Sequence, residues 1–289
     1  MFKFAPKKLF TRLSNFELET LNLKLKAMFN EHDLADRLSG RLIGNGVHFL
    51  KEVDSTNIYA SRLARNGAPE GTVVIADCQT KGRGRMDRVW QSPPGNNIYT
   101  SIILRPSIDT AMAPQITLVA GVAVARVLSE YCPEAVTLKW PNDVQIGGKK
   151  ICGILTEMRT SGGKVDFVIV GIGINIRMKK EDFHKEFRDN STSLIEEVGR
   201  DISRFDFTIR LYGSLEKWYK KFSSEGFGPI RDEWTKYAGI IGKDIRVVLR
   251  DDIQAGKAVG IDEYGALLIF DEKEKIKRVI AGDVSLVEN

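Results

Sequence analysis

The chain has 289 residues, 43% hydrophobic and 28% charged, enough for one large domain or a large domain with a small companion; disorder and fibrous repeats are excluded. Its longest apolar runs, Leu118 to Ala125 and Phe167 to Ile174, are eight residues each, short of the roughly 18 to 20 that a membrane-spanning helix needs. The formal charge is +5, but residues 1–30 hold six Lys or Arg against Glu17 and Glu19, so the other 259 residues carry only +1. That distribution argues against nucleic acid as a partner of the main body.

Three cysteines, Cys78, Cys132 and Cys152, are odd in number and far apart, which fits neither a disulfide framework nor a CxxC zinc site. No signal-peptide pattern is present, so a cytoplasmic location is expected. Residues 1–30 form a basic and apolar extension, with Leu9, Leu13 and Phe16 at helical spacing. The extension is too short for a helix-turn-helix that reads DNA.

From residue 31 the pattern is mixed α and β. Asp54-Ser55 reads as a helix cap, with Ile58 and Leu63 on one face and Gly67 closing the element. Val73 to Ala76 reads as a buried strand, residues 78–97 as a long functional loop, and Ile98 to Leu104 as a strand. Pro114 opens a helix that carries Ile116, Ala120, Ala123 and Val127 and stops at Pro133. Strands follow at Val136 to Trp140, Val144 to Ile146, Ile151 to Met158 and Val165 to Ile174, with Gly147-Gly148 and Ser161-Gly162-Gly163 as hairpin turns. Hairpins rule out an all-parallel sheet. Helical periods return at 181–198 and 208–237. From Gly239 short β runs (Ile245 to Leu249, Lys257 to Ile261, Ala266 to Phe270, Arg278 to Ile280) indicate a small β-barrel. The expected division is residues 1–30, an α+β domain at 31–238 with a mixed or antiparallel central sheet flanked by helices, and a barrel at 239–289.

Four segments can carry chemistry. In Gln79-Thr-Lys-Gly82-Arg83-Gly84-Arg85-Met-Asp-Arg88-Val-Trp90, glycines let the backbone approach a ligand and arginines pair with carboxylate or phosphate. The same composition also suits an RNA- or DNA-contacting segment with Trp90 for base stacking. Lys139-Trp-Pro-Asn142-Asp143 presents a carboxylate that can hold Mg²⁺, or is merely a turn in which Asn and Asp bond their own backbone. Gly147-Gly-Lys-Lys150-Ile-Cys-Gly153 lacks the Ser or Thr of a Walker A loop, and Lys150 can face either way. Gly171-Ile-Gly173-Ile-Asn175 lacks the third glycine of a dinucleotide fingerprint, and reads instead as a strand on which a ligand lies close. His32, His48 and His184 fit no metal or catalytic spacing, and no hydrolase elbow occurs. Cations, one magnesium-binding carboxylate and an aromatic without a nucleophile suit nucleotidyl transfer.

These segments together resemble the biotin protein ligases. Glu52-Val-Asp-Ser-Thr-Asn57, the Gly-Arg-Gly-Arg loop ending in Trp90, Lys-Trp-Pro-Asn-Asp, the Lys150 to Gly153-Ile-Leu run and Gly171-Ile-Gly-Ile-Asn175 stand in that family's order and spacing. Gly260-Ile-Asp-Glu-Tyr-Gly265-Ala-Leu and Gly282-Asp-Val-Ser-Leu286 look like its SH3-like C-terminal domain. The resemblance implies a class II synthetase-like catalytic fold that makes biotinyl-5′-AMP from biotin and ATP with Mg²⁺. Biotin then passes to one lysine of a biotin carboxyl carrier domain of a carboxylase.

It also implies that Ser55, Thr56, Asn57 and Gln79 hold the ureido ring while Gly82, Arg83, Gly84 and Arg85 close over the acid end. Lys150 would contact the carboxylate and the α-phosphate, with Gly153 beneath the ligand. Trp90, Arg88, Asn142 and Asn175, with Arg83 and Arg85, would bind the nucleotide, with Asp143 near Mg²⁺ and Lys139 against the departing pyrophosphate. Lys150, Arg83 and Lys139 are thus the expected catalytic residues. Asp87 departs from the family's usual glycine, and a carboxylate there is expected to pair with Arg85 and Arg88. A homodimer is compatible with the resemblance; specific DNA and membrane are not expected partners. A lipoate or octanoate ligase or transferase of the same fold would leave Ser55, Thr56 and Gln79 idle, and a non-enzymatic RNA-binding module would show salt-dependent RNA binding.

Overall fold

The computed structural model describes residues 31–249, 252–271 and 275–287. The expectations for residues 1–30 lie outside the described residues. The chain runs α1 (Glu31–Leu38), β1 (Gly46–Leu50), α2 (Thr56–Arg65), β2 (Thr72–Ala76), β3 (Ile98–Leu104) and α3 (Ala113–Leu128). Four strands follow, β4 (Val136–Lys139), β5 (Asp143–Ile146), β6 (Lys149–Ser161) and β7 (Lys164–Ile174), then α4 (Leu194–Val198), α5 (Arg204–Glu225) and α6 (Gly228–Tyr237). The C-terminal strands are β8 (Asp244–Leu249), β9 (Asp252–Ile261), β10 (Leu267–Phe270), β11 (Ile276–Val279) and β12 (Asp283–Leu286).

The first seven strands form one sheet in the order β1-β2-β3-β7-β6-β5-β4. Only β1 and β2 are parallel, joined by the crossover helix α2; every other pair is antiparallel. All residues of β2 and β3 are buried because helices cover both faces. On one face α2 seals a small core of Ala60, Ala64, Val74, Ile103, Phe167 and Ile169. On the other, α3 buries thirteen of its sixteen residues against the sheet and α5. By length and composition the stretch Thr110–Leu128 could cross a membrane, but it is the core helix of this domain.

The five C-terminal strands form an antiparallel sheet in the order β11-β10-β9-β8-β12, the SH3-like domain. Its β9–β10 turn is seated on the larger domain. Trp140 Nε1 donates to Gly265 O at 3.0 Å, and Gln115 Nε2 to Glu263 O at 2.8 Å. One hydrophobic core runs through both units, with Ile245, Val247, Leu267 and Ile269 buried alongside α3 and α6.

Three expectations need correction. Residues 181–198 hold a 3-10 turn at Lys180–Asp182 and only the short α4, because their apolar residues pack inward from turns rather than along one helical face. The 208–237 region is two helices, broken where Gly226 takes φ 76°. In the barrel, β9 begins at Asp252 and β12 forms a further strand; both lie beside polar, exposed residues that mask their alternation.

Candidate active site

A cavity of about 400 Å³ opens over the middle of the large sheet, where β3, β7 and β6 run side by side. Register stacks Gly153 beside Gly173 and Tyr99, and Leu155 beside Gly171 and Ser101, so the floor is nearly free of side chains. A Cβ on Gly171 would fall 2.1 Å from Asn57 Oδ1, and one on Gly173 would fall 2.4 Å from Trp90 Nε1. Side chains are therefore excluded from both positions by what lies above them.

One end of the cavity is a buried polar strip. Ser55 occupies the N-cap position of α2 but makes no capping hydrogen bond, which leaves its hydroxyl available. Gln79 takes over the capping duty: its Oε1 accepts from Thr56 N at 2.9 Å and from Thr56 Oγ1 at 3.1 Å. Gln79 Nε2 donates to Ser92 Oγ at 3.0 Å, which fixes the amide's orientation. Asn57 Nδ2 donates to Leu155 O at 3.1 Å and Glu157 Oε2 at 2.8 Å, while Asn57 Oδ1 accepts from Ser101 Oγ at 2.6 Å. Buried polar groups held this way are rigid and already desolvated.

The roof is the glycine-arginine segment folded into a small hairpin. Gly84 N donates to Arg88 O at 2.7 Å and Trp90 N to Gly82 O at 3.0 Å, with Met86 and Asp87 at the tip in left-handed backbone (φ 54° and 58°). That conformation favours glycine, and aspartate tolerates it better than a β-branched residue would. Asp87 does not take the pairing expected of it. Arg88 pairs with Asp283 of β12, and Arg85 Nη1 lies 3.9 Å from the same carboxylate, so the C-terminal domain reaches into the site. Burial lowers the Arg85 guanidinium below its ordinary value, with Asp283 and Asp143 opposing. Arg85 Nη1 also donates to Asn142 Oδ1 at 3.0 Å, and Arg83 Nη2 meets Glu157 Oε1 at 3.0 Å.

The far end holds Lys150 and Asp143, Nζ to Oδ1 2.7 Å apart. The face that Lys150 takes is set by a bulge. Val144 pairs with Cys152 and Gln145 with Lys150, so Ile151 is an extra residue on β6. The insertion turns Lys150 to the same side as Gly153 and places Nζ 5.5 Å from the Trp90 ring centroid. Lys150 is also held from behind, its N donating to Asn190 O at 2.8 Å and its O accepting from Thr192 N at 2.9 Å. Asn175 lines the wall with its amide tied to Thr192 O at 3.0 Å.

The cavity thus gathers Ser55, Thr56, Asn57, Gln79, Arg83, Gly84, Arg85, Arg88, Trp90, Asn142, Asp143, Lys150, Gly153 and Asn175. Gly82 and Lys139 are not among its lining residues. Gly82 closes the base of the hairpin, its carbonyl accepting from Trp90 N, and Lys139 ends β4 opposite Asp143. Asp283, Phe183, Glu186, Phe187, Asn190 and Ser191 line the cavity without having been singled out in the sequence. The Gly282-Asp-Val-Ser-Leu286 signature contained Asp283 but gave no hint of its reach. The 183–191 segment falls in the stretch read as helical, whereas it is built of turns, so a cavity wall there is not legible in the sequence.

Every cation of the cavity is paired with a carboxylate: Arg83 with Glu157, Arg85 and Arg88 with Asp283, Lys150 with Asp143. A ligand bearing its own anions exchanges partners here rather than meeting bare charge, which limits the cost of desolvation. For Mg²⁺ the residues fit. Asp143 Oδ1 is buried and, apart from the ion-pair contact, has no hydrogen-bond donor. A single carboxylate completed by phosphate oxygens and water suits that ion.

Comparison with known proteins agrees with this geometry. Residues 49–175 match the biotin/lipoate A/B protein ligase family, and residues 240–287 match the biotin protein ligase C terminal domain. The bifunctional ligase/repressor BirA of Bacillus subtilis is 39% identical over 281 residues, covering 95% of this chain and 86% of that protein. The match leaves too few residues unmatched to omit 1–30 entirely, so part of that segment is shared. The biotin–[acetyl-CoA-carboxylase] ligase of Paracoccus denitrificans is 35% identical over 223 residues, 76% of this chain and 92% of that one. Among solved structures, the biotin protein ligase from Aquifex aeolicus in complex with biotin and ATP superposes with a TM-score of 0.72 at 34% identity, over 85% of this chain and 100% of that one. A polar strip, a glycine floor and a cationic far end, on a chain so related along most of its length, identify it as a member of the biotin protein ligase family.

Proposed function

We infer that the chain activates biotin with MgATP to biotinyl-5′-AMP and pyrophosphate, then transfers biotin to a specific lysine of a biotin carboxyl carrier domain in the cytoplasm. We assign residues 31–238 to catalysis and 239–289 to the SH3-like domain. Neither specific DNA nor a membrane enters this reaction. With a net charge of only +1 outside residues 1–30, specific binding of biotin-operator DNA at micromolar protein is not expected, and a specific shift would contradict that.

The observation that carries the reading is the pairing of a rigid polar strip at one end with a cation cluster at the other, 33% exposed at Lys150. The ureido group needs donors and acceptors held out of water, which Ser55, Thr56, Asn57 and Gln79 supply. A lipoyl ring has no such groups and would bury the Ser55 hydroxyl, which makes no capping hydrogen bond, without a partner, at a cost of about 1–3 kcal/mol.

Attack of a carboxylate on a triphosphate brings two anions together. Lys150 stands where it can neutralise the biotin carboxylate and the α-phosphate, and Arg83 closes from the roof. Mg²⁺, held by Asp143 and phosphate oxygens, would neutralise triphosphate charge when bound. Trp90 covers the glycine floor and excludes water from the mixed anhydride. Gly84, Arg85 and Arg88 carry the roof, Asn142 anchors it, and Asn175 braces the wall on the nucleotide side. Lys139, outside the cavity lining at the end of β4, is assigned no contact with the reacting atoms. Transfer then needs the hairpin to open far enough to admit a lysine amine.

The test is product formation on a purified apo carrier domain with biotin and MgATP. One biotin on one lysine, lost when ATP is omitted or that lysine is replaced, is the expected result. Biotinylation without ATP, or none at all, would overturn the reading.

A further inference from the structure

Glu157 has no role in the reaction above and does not line the cavity, yet it touches both halves of the site. It continues the row Gly153, Leu155, Glu157 that strand alternation turns toward the ligand, one step past the cavity's edge. Its Oε2 accepts from Asn57 Nδ2 at 2.8 Å, and its two oxygens meet the Arg83 guanidinium at 3.0 and 3.4 Å. Asn57 belongs to the polar strip and Arg83 to the roof. A single carboxylate therefore ties the two together.

The consequence for Asn57 follows from donor counting. Both hydrogens of Nδ2 are taken, by Leu155 O and by Glu157, so the amide offers a ligand only the oxygen. That oxygen sits over Gly171 on the floor, close enough that a Cβ there would fall 2.1 Å away. A flipped amide would set its oxygen against a carbonyl and a carboxylate, two acceptors. Glu157 thus selects the orientation in which Asn57 accepts. For Arg83, the two-point contact fixes the guanidinium plane of a side chain that is otherwise 43% exposed.

We propose that Glu157 is a positioning residue that presents Asn57 as an acceptor to the ligand's N–H groups and holds Arg83, with the 82–90 hairpin, over the cavity. The Asn57 half rests on the biotin reading, since the ureido ring supplies the N–H groups. The Arg83 half does not depend on it.

Two variants separate the halves. In Glu157→Gln the side-chain oxygen can still accept from Asn57, while the neutral amide cannot pair with Arg83. Glu157→Ala removes both. Three quantities are measured on each: thermal midpoint, the rate of trypsin cleavage after residues 81–88 in the ligand-free chain followed by mass spectrometry, and the biotin KM in ATP–pyrophosphate exchange.

Cleavage about two- to fivefold faster than wild type is expected in both variants, the size of one lost partly exposed ion pair. The biotin KM should stay within about twofold for Glu157→Gln and rise about tenfold for Glu157→Ala, as loss of a hydrogen bond to a charged group implies. Unchanged cleavage in both would overturn the Arg83 half. Equal biotin KM in the two variants would overturn the Asn57 half, as would a lowered thermal midpoint with no KM change. If the wild-type chain shows no biotin-dependent exchange, the ligase reading fails, and the cleavage rates still decide whether Glu157 holds the hairpin.

Discussion

Replacement of Lys150 by alanine probes the proposed chemistry at its centre. The ammonium is 2.7 Å from Asp143 Oδ1, and its side chain is one-third exposed. A positioned charge at a reacting centre contributes about 10²- to 10³-fold. Partial exposure puts Lys150 at the lower end, so adenylate formation should fall about 100-fold, or about 2.7 kcal/mol of transition-state stabilisation. Transfer from pre-made biotinyl-AMP should change by less than about threefold, because by then the pyrophosphate has left and no second anion approaches. The assay is single-turnover formation of labelled adenylate, run beside transfer from synthetic adenylate to an apo carrier. Lys150→Ala also leaves Asp143 without its counter-ion, and the double variant with Asp143→Asn separates that effect. Full recovery of adenylation in the double variant would mean Lys150 serves only to neutralise Asp143. Equal loss in both half-reactions would make it a binding or structural residue. Either result refutes the assigned role.

Gly171→Ala should overpack the floor, since its Cβ would stand 2.1 Å from Asn57 Oδ1. The expected cost is about 1–3 kcal/mol, seen as a higher biotin KM with the ATP KM little changed; an unchanged biotin KM would show that Asn57 lies clear of the ligand. Asp283→Ala removes the carboxylate shared by Arg85 and Arg88, whose pairs are partly exposed, so a loss of about two- to fivefold in kcat/KM for ATP is expected, and none would make the cross-domain contact incidental. In the barrel, burial pushes Asp262 up, but hydrogen bonds from Arg278 and from the backbone N–H of Ala266 (2.8 Å) and Tyr264 (2.9 Å) outweigh it and hold the carboxyl below its ordinary value. A depressed carboxyl stabilises the fold above its unfolded pKa of about 3.9 and loses that contribution as pH falls through the folded value. Asp262→Asn should therefore lower the thermal midpoint at pH 7 and make progressively less difference below about pH 4; a constant difference across that range would contradict the assignment.

Much of this was legible from residues alone where one interaction dominates. Ile98 to Leu104 is a strand in both readings because a fully buried strand is a bare apolar run with no competing signal. The Gly147-Gly148 turn, with φ of 56° and 80°, is a hairpin because few other residues take two such values in succession. What stayed hidden depends on contacts between distant segments. The face taken by Lys150 is decided by a bulge that exists only when β5 and β6 pair, and strand alternation alone would put it on the wrong side. Arg85 and Arg88 sit two residues or fewer from Asp87 in sequence, yet their partner is Asp283, nearly two hundred residues on. Glu157 looked like the end of an ordinary strand, and its importance appears only once α2 and the hairpin are brought to it. The helical period read over 181–198 does not foretell the 183–191 wall, because its geometry comes from turns anchored to Lys150 and Asn175.

The central claim is that this cavity activates biotin and not a related acid. ATP–pyrophosphate exchange measured with biotin, lipoate and octanoate supplied separately tests it most directly. The account predicts exchange with biotin alone; exchange driven by lipoate or octanoate, or by none of the three, would contradict it.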